Sequence, residues 1–270
     1  MRLRTGRITG VFIAAITALS ACGTATDGQA EWRAGDEPVA PVSAASPTPS
    51  ASPSPEPVSD EQVPEAGDGA YDTARGSNYV IGKGQTLITY RVEVERGVDW
   101  GDLPKVMTDD FAARIEEVLE HPQSWPASAD HPVTEPEHGV HGASWRFQRV
   151  SGPQYKVRIR LASPATVDAV CRQVGLDTEG KYSCKTGNII MINLRRWLQG
   201  SGVASVDDYP EAVINHEMGH YLGFDHQGCS GPGELAPIMM QQSIDLDGCE
   251  PNLYPFTKDG EFVSGPYLPS

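Results

Sequence analysis

Apolar residues are spread very unevenly along this chain of 270 residues. A largely apolar, uncharged run fills residues 8–19, little apolar periodicity follows as far as residue 70, and strand-like and helix-like periods then take over. Residues 87–95 alternate apolar and polar as a half-buried strand does. Thr108 can cap a helix running to Glu120, because Phe111, Ile115, Val118 and Leu119 recur on one face. Residues 145–150 and 155–161 read as two strands, and Ser151, Gly152 and Pro153 between them predict a hairpin. A short helix over 165–174 carries Cys171, and the run 189–192 marks a strand. Asp208 and Glu211 have capping-box spacing and Pro210 suits a first turn, so a further helix is predicted from there to Leu222.

Composition changes the picture mainly at the N-terminus. Arg2, Arg4 and Arg7, the apolar run, and the small residues before Cys22 are the three parts of a secretory signal peptide over 1–21, and the run is too short for a comfortable membrane span. Leu19, Ser20, Ala21 and Cys22 resemble the bacterial lipobox, which implies lipidation of Cys22 and attachment to the outer face of the cell membrane. Residues 22–70, mostly Pro, Ser and Ala at their centre, bury too little surface to offset ordering entropy. They are expected to form a disordered spacer reaching on the order of 100 Å. One globular domain then occupies 71–270. A formal charge of −15 argues against nucleic acid as a partner. With Cys22 carrying lipid, Cys171, Cys184, Cys229 and Cys249 form an even set in an oxidising compartment, which predicts two disulfides in any of three connectivities. Phosphate-binding loops, a GxGxxG turn, a serine nucleophile elbow and internal repeats are absent from the sequence.

The chemistry concentrates in residues 216–226, HEMGHYLGFDH. On a helix, His216 and His220 leave from one face within reach of one ion. Glu217 is turned about 100° from His216, near enough to take a proton from water beside a metal without ligating it. Gly223 can end the helix in a left-handed turn, allowing His226 to swing back as third ligand. Three imidazoles, an open fourth position and an adjacent base are what zinc hydrolysis requires. Two weaker candidates are a second metal on His131, His138 and His141 and a calcium loop at Asp245, Asp247 and Gly248. The first set reads better as exposed loop residues, and the second lacks the remaining oxygen ligands.

These residues match the metzincin metallopeptidase signature HExxHxxGxxH at His216, Glu217, His220, Gly223 and His226. Pro237, Ile238, Met239 and Met240 resemble that family's Met-turn, with Met239 as its methionine. The resemblance implies an α+β zincin-like fold with a twisted mixed sheet, an active-site helix and a small C-terminal subdomain. It also implies Zn2+ on the three histidines, Glu217 as general base, and a peptide or protein substrate. Residues 188–193 resemble the family strand that borders the cleft and pairs with substrate. Gln241 stands where some members carry an accessory tyrosine, and residues 252–270 replace their long C-terminal helix. Residues 237–242 with Gly248, Cys249, Pro251 and Asn252 are also similar to an uncharacterised family of secreted actinobacterial proteins with a zincin-like domain. On this reading Cys229–Cys249 would tie the third-ligand loop to the Met-turn, leaving Cys171 for Cys184. The expectation is a membrane-tethered, monomeric extracytoplasmic zinc endopeptidase. Its alternative is a zinc-binding or sensing lipoprotein on the same fold without turnover.

Overall fold

Strand β2 (Thr86–Glu95) carries the sheet. Ile88, Tyr90, Val92 and Val94 point into the core and are at most 5% exposed, while Glu93 and Glu95 on the opposite face are also buried. A strand covered on both faces cannot keep a plain apolar/polar alternation, and β2 meets that demand with compensated charge. Glu93 pairs with Arg91 and Arg160. The Glu95 carboxylate accepts from the Ser163 N–H and hydroxyl and from the Gly69 N–H. The computed structural model describes residues 56–268. The expected signal segment 1–21, Cys22 and the linker as far as residue 55 lie outside the described residues.

Six strands form a mixed sheet. β5 (Trp145–Arg149) runs parallel to the first half of β2, and β6 (Val157–Ala162) runs parallel to the second half. Tyr90 pairs with Arg149 on one side and Val157 on the other, so β5 and β6 lie on opposite edges of β2. The expected hairpin between them is therefore not formed. Because β6 is offset along β2, the segment 150–156 has only to cross it, and Tyr155 on that crossing stacks 4.4 Å from the Arg91 guanidinium. β8 (Ile189–Asn193) extends the sheet parallel to β6, and β7 (Cys184–Thr186) adds antiparallel to β8. Ile189, Ile190 and Met191 are thus paired on both sides. The free edge expected of 188–193 belongs instead to β7. β1 (Tyr71–Thr73) pairs antiparallel with the end of β2, and β3 (Val133–Glu135) with β4 (Val140–Ala143) makes a separate two-stranded sheet.

Helices cover both faces. α1 (Thr108–Glu120) and α4 (Tyr209–Leu222) bury Phe111, Ile115, Val118, Val213 and Met218 in one core with Tyr90, Val92, Ile159 and Ile190. α2 (Pro164–Cys171) packs Val167 and Cys171 against Met191 on the other face, where Cys171 is bonded to Cys184. The second disulfide joins Cys229 to Cys249. Two disulfides in one domain place the protein in an oxidising, extracytoplasmic compartment. No helix among the described residues is long and apolar enough to cross a membrane. The fourth helix, α3 (Leu194–Gln199), follows β8 directly.

Three boundaries depart from the sequence reading. Met107, not Thr108, occupies the cap position of α1, and no side chain caps it. The Asp208/Glu211 capping box is not formed. Arg114 of α1 draws Glu211 away at 2.7 Å, and Ser205 accepts from the Asp208 N–H and donates to its carboxylate. Residues before 71 also pack onto the fold. Val58 donates to the Leu198 carbonyl, Asp60 and Glu65 pair with Arg195, and Val63 is buried. Backbone and charge hold that segment, so its low apolar content did not mark it.

α4 lies on a floor made by Trp125 and Met239, both fully buried. The Trp125 indole N–H donates to the Asn215 carbonyl in mid-helix at 2.9 Å. Gly219 faces this floor: a Cβ there would overlap Met239 Sδ and come 2.9 Å from Trp125 Cζ2. Gly219→Ala is therefore expected to destabilise the protein by about 1–3 kcal/mol through overpacking, despite alanine's better helix propensity. A urea midpoint at or above that of the unsubstituted protein would show that the floor yields freely.

Candidate metal centre

α4 presents His216 and His220 one turn apart, and the chain after it returns His226 to the same point. Gly223 makes the reversal with φ 109°, a left-handed conformation that costs a glycine little. The Gly223 and Phe224 N–H groups donate back to the His220 and Gly219 carbonyls, closing the helix end. Phe224, 1% exposed, then anchors the loop against Trp125 and Trp145. Beyond it, His226 is held from behind, because Gln227 donates to the Met239 carbonyl and Leu268 to the His226 carbonyl.

The three imidazoles each offer a nitrogen within 4.8 Å of the others, and His220 Nε2 and His226 Nε2 are 3.1 Å apart. His216 Nδ1 is 2.8 Å from the Ile238 carbonyl and His220 Nδ1 is 2.8 Å from the Phe224 carbonyl. A carbonyl accepts only, so each Nδ1 carries the proton and each Nε2 keeps its lone pair for the shared centre. Burial, then the neighbouring rings, holds His216 well below the ordinary imidazole range. Burial likewise lowers His220 to about 4 and lowers His226. The lone pairs of His216 and His220 converge with His226 Nε2 on one point, an arrangement that a cation bound between the three rings stabilises. Two nitrogens about 2.1 Å from a tetrahedral zinc stand about 3.4 Å apart, close to the separation found. The donor set fits a borderline-soft divalent ion such as zinc.

Glu217 adds a second sign. It is 5% exposed, its Oε2 has no hydrogen-bond partner, and burial pushes its carboxyl up to about 8 against the opposing pull of Lys185. A divalent cation nearby would lower that value.

Pro237 to Met240 form a tight turn closed by the Met240 N–H on the Pro237 carbonyl. From it, Ile238 supplies the acceptor for His216 and Met239 supplies the floor under Gly219. The Cys229–Cys249 bond links the loop after His226 to the segment after this turn. The cluster opens on a cleft of about 670 Å³ whose walls include Val213, Ile238, Met240 and Leu253, with Gln241 and Lys185 also lining it.

Other sequence candidates are not brought together, and among the described residues the three histidines form the one metal-competent group. His131 lies near Phe256, while His138 accepts from the Asp225 N–H and packs on Phe224 and Tyr267. Asp245 accepts from the Asp247 N–H in a local turn. Sequence reasoning missed the buried support of α4. Asn215 accepts from the Ser124 hydroxyl and donates to the Leu253 carbonyl, holding the helix behind the histidines. Its place one residue before the motif was the only signal.

Below the usual imidazole pKa near 6.5, the unfolded chain takes up three protons on these histidines that the metal-free fold resists. Glu217 acts oppositely, holding a proton in the fold down to about 4.5. Between pH 6.5 and 4.5 the histidines outnumber it, so these four groups make metal-free protein less stable as pH falls through that window. A thermal midpoint for Glu217→Gln protein, stripped of metal, that stays flat or rises as pH falls from 6.5 to 4.5 would contradict neutral, buried histidines.

No curated protein and no solved structure matches the chain. One family model does, and it spans the three histidines, Glu217, the turn at Met239 and both disulfides. By that match over residues 58–263, the chain belongs to the family described as protein of unknown function (DUF3152).

Proposed function

We propose that the protein is an extracytoplasmic zinc endopeptidase of the metzincin type, tethered to the membrane through lipidated Cys22 and the Pro-rich linker. The observation that carries this reading is the buried, partnerless Glu217 carboxylate beside three converging imidazoles. A structural metal site fills its coordination with protein ligands and has no use for an uncompensated acid. The order of the sheet supports the same reading, since the free edge of β7 flanks the cleft where an extended peptide could add as a further strand.

His216, His220 and His226 would hold the metal through Nε2, with the Ile238 and Phe224 carbonyls fixing the first two rings. A zinc ion bound there supplies a Lewis acid for the scissile carbonyl and brings the pKa of water towards neutrality. Glu217 Oε2 takes the proton of the attacking water and returns it to the departing amine nitrogen. Its burial keeps bulk water from competing for that proton. Met239 touches no substrate and keeps α4 at its depth. Gln241 in place of the accessory tyrosine leaves one transition-state donor unfilled, which is the observation favouring a zinc-binding or sensing lipoprotein without turnover.

Glu217→Gln is expected to retain one zinc per chain by elemental analysis while losing about 10²–10⁴-fold in peptide cleavage. Unchanged cleavage by that variant would remove Glu217 from the reaction. Zinc-loaded, folded wild-type protein that cuts nothing across a mixed peptide library would favour the sensing lipoprotein. Zinc should also raise the thermal midpoint of metal-stripped protein, and His226→Ala should abolish most of that rise.

A further inference from the structure

The cleft is lined by many neutral side chains and one cation. Lys185 sits on the edge strand β7, paired across to Ile190 of β8. Ile190 belongs to the core shared with Val213 and Met218 of α4, whereas Cys184 and Met191 face α2 on the other side. Successive strand residues alternate between faces, so Lys185 is directed to the face where the histidines lie. Its position in the cleft wall with His216, Glu217 and His220 agrees.

No described residue makes an ion pair with this charge. Lys185 makes no ion pair or side-chain hydrogen bond among the described residues, in a chain where acids outnumber bases 36 to 21. Apart from the buried Glu217, the acids of the cleft, Asp177, Glu179 and Asp225, are exposed, and Glu179 lies 3.9 Å from Lys181. Solvent screens charges in such positions. Lys185 is half-buried, where a charge acts at longer range, and it lines the same cleft as Glu217 and His220. An unpaired cation kept on the edge where a peptide would lie calls for an anion on that peptide.

We infer that Lys185 is a specificity-determining residue and that the cleft selects peptides with an aspartate or glutamate side chain close to the bond at the metal centre. An extended peptide paired to β7 brings its own side chains beside Lys185 on the α4 face, within cross-strand distance. A carboxylate there accepts from the Lys185 ammonium in a charge-assisted hydrogen bond. An amide of the same shape leaves that ammonium without its counter-charge.

This inference rests on the peptidase reading but is testable apart from it. Labelled peptides that differ only by Glu or Gln at successive positions are titrated by fluorescence anisotropy against zinc-loaded Glu217→Gln protein, and the same peptides are digested with the wild type. At one position Glu is expected to bind about tenfold or more tighter than Gln. That ratio collapses towards one in Lys185→Met, which keeps the aliphatic stem, survives in Lys185→Arg, and inverts in favour of a Lys peptide in Lys185→Glu. Equal binding of Glu and Gln peptides at every position overturns the inference. A uniform loss for all peptides in Lys185→Met also overturns it, by assigning the lysine a role indifferent to substrate charge. Acidic peptides bound selectively but never cut leave the selection standing and defeat the peptidase reading; cleavage blind to charge does the reverse.

Discussion

The site depends on two backbone carbonyls accepting hydrogen bonds from two imidazoles. Ile238 and Phe224 fix the His216 and His220 rings, so both Nε2 lone pairs meet at one place. Most of the C-terminal third serves that arrangement. The turn at Pro237 presents the Ile238 carbonyl, the Gly223 reversal presents the Phe224 carbonyl, and the Cys229–Cys249 bond holds the two segments in register. Beyond α4, residues 223–268 form no helix or strand and are built from turns whose polar groups bind one another. Asn252 illustrates this, its amide donating to the Ala236 and Tyr254 carbonyls.

Buried charge sorts the structural from the chemical. Glu93, Glu95 and Glu116 are all buried and all compensated, by arginines or by a cluster of N–H and hydroxyl donors. The fold is therefore well able to satisfy an acid it buries. Glu217, equally buried, has an oxygen with no partner and only the distant field of Lys185 to favour its charge. An uncompensated group in a protein that compensates the others is where local stability has given way to another demand. On the reading proposed above, that demand is a proton taken from water.

The sheet gives the site its setting. β8 is paired on both edges along most of its length and runs straight into α3, while the short β7 forms the open edge beside α4. Its Cys184 is bonded to α2, so the edge bordering the cleft is anchored from the far side of the sheet. The same strand turns Lys185 towards the cleft, so one strand is both braced and charged.

What the sequence determined by itself was local. Spacing of three histidines and a glutamate, a glycine where the helix reverses, and the periodicities of β2 and α1 are encoded within a few residues and were readable there. The even set of cysteines predicted two disulfides but left three connectivities open; the structure forms the preferred one, Cys171–Cys184 and Cys229–Cys249. Tertiary structure alone decided which strands pair. β5 and β6 are separated by a turn-rich segment that specifies a sideways step but not a partner, and β2 came between them because both could bury side chains against its two halves. It likewise decided that β7 rather than β8 is the edge, that Arg114 takes Glu211 from its helix cap, and that residues 58–70 belong to the fold. Each of these rests on a partner distant in the chain, and no local pattern of apolar and polar residues records where such a partner will stand.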